Sequence, residues 1–421
     1  MRVLAAGGYG SAAGAAPFVN AGQLTVVQAL FEAVSGWTTT GLSVMNVEEV
    51  SHIFLFHRSF MQFCGGLGFV MMMLIFIQER ESMNLYSAEG HPDRLLPNLG
   101  KTARAIFVMY CAFLAAGVIA YVIAGMPLFD SINHTRCALS TGGFSTRTDS
   151  IGAYDSLLID IITNVLMLTG TTNFAVLLLL VRGKFRRAFR VSELRFMFLV
   201  LAAAVIPVTW SLHHTLFQTD AGESIRQASF NLIAALSTTG FSTMGYQDWP
   251  QMSLGIMILL MLIGGGIGST AGGLKMTRVY LILRMAAENM KERVSSKRRV
   301  SVPVYTNAQG RQPIDGELYK QTGSFVTAYL VIFITGSLLL TETADCSLTE
   351  AMFEFASALG TVGLSIGVTG PASNNATLIV EMTGMLLGRL EIFIIFIGFY
   401  CMADRIKNTL VRKRRQHRPS E

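Results

Sequence analysis

Residues 39–43 read T-T-G-L-S, residues 141–145 T-G-G-F-S, residues 238–242 T-T-G-F-S and residues 361–365 T-V-G-L-S. The shared pattern, T-x-G-[LF]-S, occurs four times where average residue usage would give well under one chance match. Self-similarity of this kind marks one structural unit repeated along the chain. The likeness extends upstream: sixteen residues before each glycine stand Thr25, Pro127, Ser224 and Ser347, and three positions later come Gln28, Asp130, Gln227 and Glu350. Three of these pairs have the form of a capping box; the fourth puts Pro127 where the others have a cap and keeps an acidic residue three on. Each copy is therefore predicted to start a helix of about three turns that ends at the threonine.

What surrounds the repeats decides their setting. Of 421 residues, 51% are hydrophobic and 14% charged, against roughly a quarter charged in soluble domains, which argues against a soluble enzyme and against disorder. Cys64, Cys111, Cys137, Cys346 and Cys401 stand singly, mostly in apolar runs, and read as packing residues. Seven apolar runs, near 53–77, 105–124, 155–181, 196–212, 252–267, 324–341 and 377–403, are candidates for crossing a bilayer. Lysine and arginine concentrate in four blocks, 79–104, 182–195, 275–320 and from 405 onward, which hold 27 of the 33. Those blocks are expected to face the cytoplasm, so the net charge of +6 belongs to membrane topology and implies no nucleic acid. The opposite loops carry Asp130, Asp149, Asp220, Glu223, Asp248, Asp345, Glu350 and Glu354, read as an outer acidic surface that concentrates cations or is merely solvated.

All four T-x-G copies fall in these outward loops. Their helices are too short to cross, and the non-helical stretch that follows must be buried in protein or line water, because its polar backbone cannot face lipid. A short helix re-entering the membrane before a T-x-G turn, four times over, would set rings of carbonyls around one axis, where they can replace a cation's hydration shell. Thr39, Thr40 and Gly41, Thr141, Gly142 and Gly143, Thr238, Thr239 and Gly240, and Thr361, Val362 and Gly363 are the candidate ion ligands, with K+ as the transported ion and no other cofactor. Four ordinary polar turns are the plain alternative.

With these motifs the chain resembles the Trk/Ktr superfamily of bacterial potassium transporters, in particular its TrkH-like membrane subunit, over nearly its whole length. R-S-F-M-Q-F-C-G-G-L-G-F, 58–69, is similar to the start of that family's first inner helix, and M-L-L-G-R-L-E-I-F, 385–393, to its last. The resemblance implies an all-α integral membrane fold of four pseudo-symmetric membrane-pore-membrane units around one central ion pathway. The units would be 1–80, with pore helix 26–38 and inner helix 53–77; 104–182; 195–285, with a glycine-rich intramembrane loop at 264–273; and 321–404. A basic cytoplasmic tail would occupy 405–421. The first unit offers only a glycine- and alanine-rich stretch before its pore helix, so its outer helix is expected to be incomplete, a signal peptide being the other reading.

Two further features bear on gating. I-G-G-G-I-G-S-T-A-G-G-L-K, 263–275, places Gly264, Gly265, Gly266, Gly268, Gly272 and Gly273 in an apolar run, where each would cost a continuous helix about 1 kcal/mol relative to alanine. Its likeness to a dinucleotide fingerprint lacks any βαβ context. The resemblance implies a loop under the filter that obstructs conduction; a packing kink is the alternative. Arg389 sits mid-span, too deep to snorkel, and should face protein or water. The resemblance puts it below the filter as a barrier to cations; a buried ion pair with Asp160 or Glu381 is the alternative. No nucleophile with a base, Walker sequence or HExxH is present, and His213-His214 reads as a loop pair, so no enzyme is expected. The resemblance further implies a homodimer in the bacterial inner membrane, its C-terminus cytoplasmic, bound to a nucleotide-binding regulatory subunit of the TrkA/KtrA type. The basic segment 284–320 would serve as a contact with that subunit or with anionic membrane lipid. A less selective or sodium-preferring pathway, or a non-conducting sensor or scaffold, are the competing functions.

Overall fold

The computed structural model describes residues 2–22, 24–68, 99–218, 220–294, 303–389 and 392, with side chains described from 10 in the first stretch and from 104 in the third. The expected tail 405–421, the far halves of 53–77 and 377–403, and most of the basic block 79–104 lie outside these residues. Among the described residues there are fifteen α-helices and one two-stranded antiparallel hairpin.

Among the described residues three helices are long and apolar enough to cross a bilayer: α4 (Leu99–Ile123) over residues 104–123, α9 (Ser192–Thr215) and α13 (Gly316–Ala344). Their outer faces leave Ile119, Ile123, Leu199, Ile206, Ile334 and Leu338 exposed, an apolar exterior suited to lipid. The chain is a multi-pass membrane protein. The run 196–212 is the centre of the 24-residue α9, which also takes in His213 and His214, so that pair is helical and not in a loop.

The short helices form where the repeat places them: α2 (Val26–Trp37), α5 (Leu128–Leu139), α10 (Ala221–Leu236) and α14 (Leu348–Gly360). Thr25 and Ser347 make complete capping boxes with Gln28 and Glu350, and Pro127 precedes α5 without a side-chain cap. The third copy differs. Asp220 caps α10 four residues upstream of Ser224, accepting from Glu223 N at 3.0 Å, so the helix begins one turn earlier than the repeat places it. Ser224 then lies inside the helix and donates to Asp220 O at 2.8 Å.

Each short helix is followed by an inner helix: α3 (His52–Leu67), α6 (Leu157–Thr171) and α11 (Gln251–Ile263) end after three to five turns, and α15 is described over Asn375–Arg389. The run 155–181 is thus not one straight span: it breaks at Thr172–Asn173, and α7 (Phe174–Val181) leaves α6 at 116°. Asn173 caps α7 by accepting from Ala175 N at 2.7 Å, which stabilises the break inside an apolar stretch. α8 (Phe185–Ala188) and α12 (Met276–Val294) complete the helices, and the hairpin pairs β1 (Val304–Asn307) with β2 (Gly310–Pro313).

The glycine- and alanine-rich N-terminal stretch is helical, α1 (Arg2–Asn20), and packs on α2 and α3. A Cβ at Gly14 would stand 2.8 Å from both Met61 Sδ and Trp37 Nε1, so its small residues permit a close helix contact. Phe18 is buried against Phe54 and His57.

Candidate functional site

The short helices deliver the four T-x-G segments with one backbone geometry. Thr39, Thr141, Thr238 and Thr361 have φ between 50° and 55°, a left-handed conformation costing a β-branched residue about 1–3 kcal/mol. Gly41, Gly143, Gly240 and Gly363 also have positive φ, from 74° to 101°, whereas the residue between threonine and glycine does not. The amides of the first two residues turn back onto their own helix: Thr39 and Thr40 to Gly36 O and Ser35 O, Thr141 and Gly142 to Ala138 O and Cys137 O, Thr238 and Thr239 to Ala235 O and Ala234 O, Thr361 and Val362 to Ala358 O and Ser357 O. This helix-terminating bond pattern normally uses glycine at the left-handed position. Threonine occupies it here four times.

The segments meet in a ring. A Cβ on Gly41 would collide with the carbonyl oxygen of Gly142, on Gly143 with that of Thr239, on Gly240 with that of Val362, and on Gly363 with that of Thr40. Each glycine therefore lies against the preceding backbone of the next copy, and the order closes on itself. Of the twelve carbonyl oxygens in the four T-x-G segments, only that of Gly142 accepts a hydrogen bond among the described residues, from Gln62 Nε2 at 2.5 Å. The other eleven take no protein donor among the described residues, so their acceptor capacity is left for water or a ligand. The hydroxyls of Thr39 and Thr361 are likewise buried without a partner. All four glycines line one cavity of about 790 Å³, together with Ser43, Ser145, Ser242 and Ser365.

Nine residues before each glycine, a buried polar side chain ties the helix to the strand beyond the ring. Glu32 accepts from Ser43 Oγ at 2.6 Å, Val44 N at 2.7 Å and Met45 N at 3.1 Å. His134 Nε2 pairs with Ser145 Oγ at 3.0 Å, and Asn231 Nδ2 donates to Thr243 Oγ1 at 3.0 Å. Glu354 accepts from Ile366 N at 3.0 Å and Thr369 N at 3.2 Å. Glu354 and Asp130, read from sequence as outer acidic surface, are in fact buried, because each serves as the acceptor for the chain beyond the ring; Asp130 takes Thr146 Oγ1 at 2.7 Å and Tyr154 Oη at 2.8 Å. The anchors were missed in the sequence as a set, although they stand nine residues before each glycine, inside the stretch over which the repeat extends. Gln62, which also accepts from Phe144 N at 3.1 Å, belongs to no repeat and left no such signal.

Directly under the ring lies the glycine-rich segment. It leaves the helix at Gly264 and is hydrogen bonded throughout to protein: Gly266 N to Thr171 O at 3.0 Å, Ile267 N to Glu193 Oε1 at 2.6 Å, Phe174 N to Gly268 O at 2.9 Å, Met276 N to Gly265 O at 2.8 Å. Irregular backbone at membrane depth requires such satisfaction. Gly264 packs back to back on Gly273, with a would-be Cβ 2.7 Å from its Cα. Thr270 Oγ1 lies 3.2 Å from Thr141 Oγ1, Gly272 N donates to Thr238 Oγ1 at 2.9 Å, and a Cβ on Gly272 would strike Thr361 Oγ1. The loop thus touches three of the four ring threonines.

Arg389 clasps this loop. Its Nη1 donates to Thr270 O at 2.6 Å and its Nη2 to Gly65 O at 2.7 Å, bridging the loop and the first inner helix. The expected partners are engaged elsewhere: Asp160 pairs with Arg226 at 2.7 Å, and Glu381 bonds Thr369.

Comparison with known proteins points to one family. The profile of the TrkH family, described as cation transport protein, matches residues 12–408. The chain is 28% identical to the Trk system potassium uptake protein TrkH of Salmonella typhimurium, over 92% of this chain and 81% of that protein. It is 29% identical to the Trk system potassium uptake protein TrkG of Escherichia coli K12, over 90% and 79%. The crystal structure of the potassium transporter TrkH from Vibrio parahaemolyticus superposes with a TM-score of 0.82 at 28% identity, covering 94% of this chain and 83% of that one.

Proposed function

The chain belongs to the TrkH cation transport protein family, and from that premise we propose that it takes up potassium ions across the bacterial inner membrane through the ring of four T-x-G segments. The four units, 1–80, 104–182, 195–285 and 321–404, are then related by pseudo-fourfold symmetry about one pathway. The observation that carries this reading is the closed ring itself: each of the four glycines packs on a carbonyl oxygen of the next copy, and eleven of the twelve ring carbonyls take no protein donor among the described residues. Carbonyl oxygens can stand in for the water a K+ ion sheds, and the unpartnered Thr39 and Thr361 hydroxyls add oxygen of the same kind. The short helices all end at the ring, so the negative ends of four helix dipoles meet there and favour a cation. No covalent step is involved; the protein supplies a path and a set of dipoles.

The loop 264–273 and Arg389 act as the gate in this reading. Arg389 places a fixed positive charge beneath the negative helix ends and holds Thr270 by its carbonyl, opposing ion passage both electrostatically and sterically. Opening requires the loop to withdraw from Thr141, Thr238 and Thr361. A cytoplasmic nucleotide-binding subunit of the TrkA/KtrA type would bias that movement, docking on a homodimer through the basic segment 284–320, which anionic lipid also attracts. The C-terminus is cytoplasmic in this arrangement, following the basic blocks.

The test is growth and Rb+ uptake at limiting K+ in cells without their own potassium uptake, comparing the chain with Gly363→Ser and Arg389→Ala at equal membrane expression. The unaltered chain should rescue growth and Gly363→Ser should not, because its Cβ meets Thr40 O; rescue by both removes Gly363 from the pathway. Arg389→Ala should raise flux at an unchanged Rb+ to Na+ ratio. Reduced flux in that variant defeats the barrier role.

A further inference from the structure

We propose that Glu354 and Glu381 together bind one proton behind the fourth T-x-G segment, and that this proton keeps the segment in its ion-selecting shape. Both side chains are fully buried. The hydroxyl of Thr369 bonds Glu354 Oε1, and the same hydroxyl oxygen lies 2.8 Å from Glu381 Oε1. One hydroxyl carries one hydrogen, and an ionised carboxylate can only accept. Thr369 therefore satisfies one of the two glutamates, and the other contact needs a donor.

The surroundings say which glutamate donates. Glu354 already accepts from the amides of Ile366 and Thr369 as well as the Thr369 hydroxyl, the environment of an anion. Glu381 has Thr369 alone, and its Oε2 is buried without a partner. A proton on Glu381 Oε1 completes the chain: Glu381 O–H donates to Thr369 Oγ1, and Thr369 O–H donates to Glu354. Without it two anions would share one hydroxyl in a buried site, an arrangement of like charges that proteins relieve by protonation.

Among the described residues no basic side chain takes the proton's place. Glu32 has Arg58, Asp130 has Arg147 and Asp160 has Arg226, whereas neither Glu354 nor Glu381 has a salt-bridge partner among the described residues. Of the elements packed on this pair, α11 carries no titratable side chain. α13 and the turn after it bring Glu317, Tyr319, Lys320, Tyr329, Glu342, Asp345 and Cys346, none hydrogen bonded to either carboxyl. α2 brings Glu32, held by Arg58; α14 itself adds Glu350, bonded to Ser347, and α15 adds Arg389, bonded to Thr270 and Gly65.

Loss of the proton would drive Glu354 and Glu381 apart and pull on Ile366 and Thr369, the strand that continues from Gly363. The infrared spectrum of the full chain reads the proton directly. A protonated-carboxyl C=O band is expected at neutral pH, bleached at alkaline pH and missing from Glu381→Gln. In Thr369→Val, which removes the acceptor, the band should shift. A band indifferent to both substitutions, or no such band, overturns the proposal. The transport arm rests on the potassium reading: the Rb+ to Na+ flux ratio should fall on alkalinisation in the unaltered chain and stay flat in Glu381→Gln, whose amide donates to Thr369 and cannot ionise. Equal pH profiles would show that the proton does not hold the strand. Absence of any transport with the infrared band intact would count against the pathway and leave the proton site standing.

Discussion

The first and fourth T-x-G segments are near twins in their backbone, and the side chains behind them separate them. Both follow a capping-box helix, both have a serine six residues before the glycine whose hydroxyl accepts the glycine amide at 3.0 Å, and both have a buried glutamate nine before it. In the first, Arg58 on the inner helix meets Glu32 at 3.1 Å, stacks 4.0 Å over the Phe144 ring and donates to Ser43 Oγ at 2.8 Å. In the fourth, the inner helix presents Glu381 instead. The backbone chemistry facing the ion is thus repeated, while what stands behind it is a salt bridge in one copy and a pair of acids in the other. Ring geometry depends on glycine and helix ends; its stiffness depends on side chains that are free to diverge.

The comparison breaks most forcefully at Arg58. Removing one partner of a buried ion pair costs about 3–5 kcal/mol because the other charge is left uncompensated. Arg58→Leu should therefore lower the thermal midpoint of the purified protein more than any other single change considered, with Glu32→Gln close behind it. Glu354→Gln should cost far less, since no cation is stranded. Equal losses in Glu32→Gln and Glu354→Gln, measured by thermal denaturation in one detergent, would erase the distinction between the two copies.

A second contrast separates backbone need from side-chain crowding within the ring. Gly240 has φ of 78° and faces Val362 O, so a serine there is strained and also collides with backbone. Gly142 has no left-handed φ, and the atoms nearest a Cβ there belong to the Gln62 side chain, which can shift where backbone cannot. Gly240→Ser should reduce the Rb+ to Na+ flux ratio by roughly tenfold, the equivalent of about 1.4 kcal/mol in relative ion stabilisation. Gly142→Ala should reduce it less. The reverse order would mean that the Gln62 clamp, and not the ring glycine, sets selectivity.

How far this could be read from the sequence follows from the same particulars. The four glycines, their helices and the break at 264–273 were legible because glycine and capping residues act locally. The break at Thr172–Asn173 was not, since two polar residues in an apolar run leave mean hydropathy high and the bend depends on Gly266 and Gly268 bonding to Thr171 and Phe174. The left-handed threonines were illegible for a different reason: a β-branched residue disfavours that conformation, and only the closed ring imposes it. The anchors at Glu32, His134, Asn231 and Glu354 lay within reach of the repeat alignment. Their partners did not, because Arg58, Thr369 and Glu381 come from elements whose packing no local pattern records.

The smallest expected effect sharpens the comparison at the third copy, whose anchor is neutral. Asn231 Oδ1 accepts from Tyr246 Oη at 2.6 Å, while its Nδ2 holds Thr243 and Gln227 O. Tyr246→Phe deletes one hydroxyl and strands no charge, so it should cost about 0.5–1.5 kcal/mol, the usual net worth of one hydrogen bond. The ring beyond it should be little changed, because Asn231 keeps its other bonds to the strand. The thermal midpoint should fall slightly and the flux ratio should stay where it was. A loss as deep as that of Arg58→Leu would show that neutral and charged anchors bear equal weight. The strands would then be held by the number of bonds behind them and not by how their charges are paired.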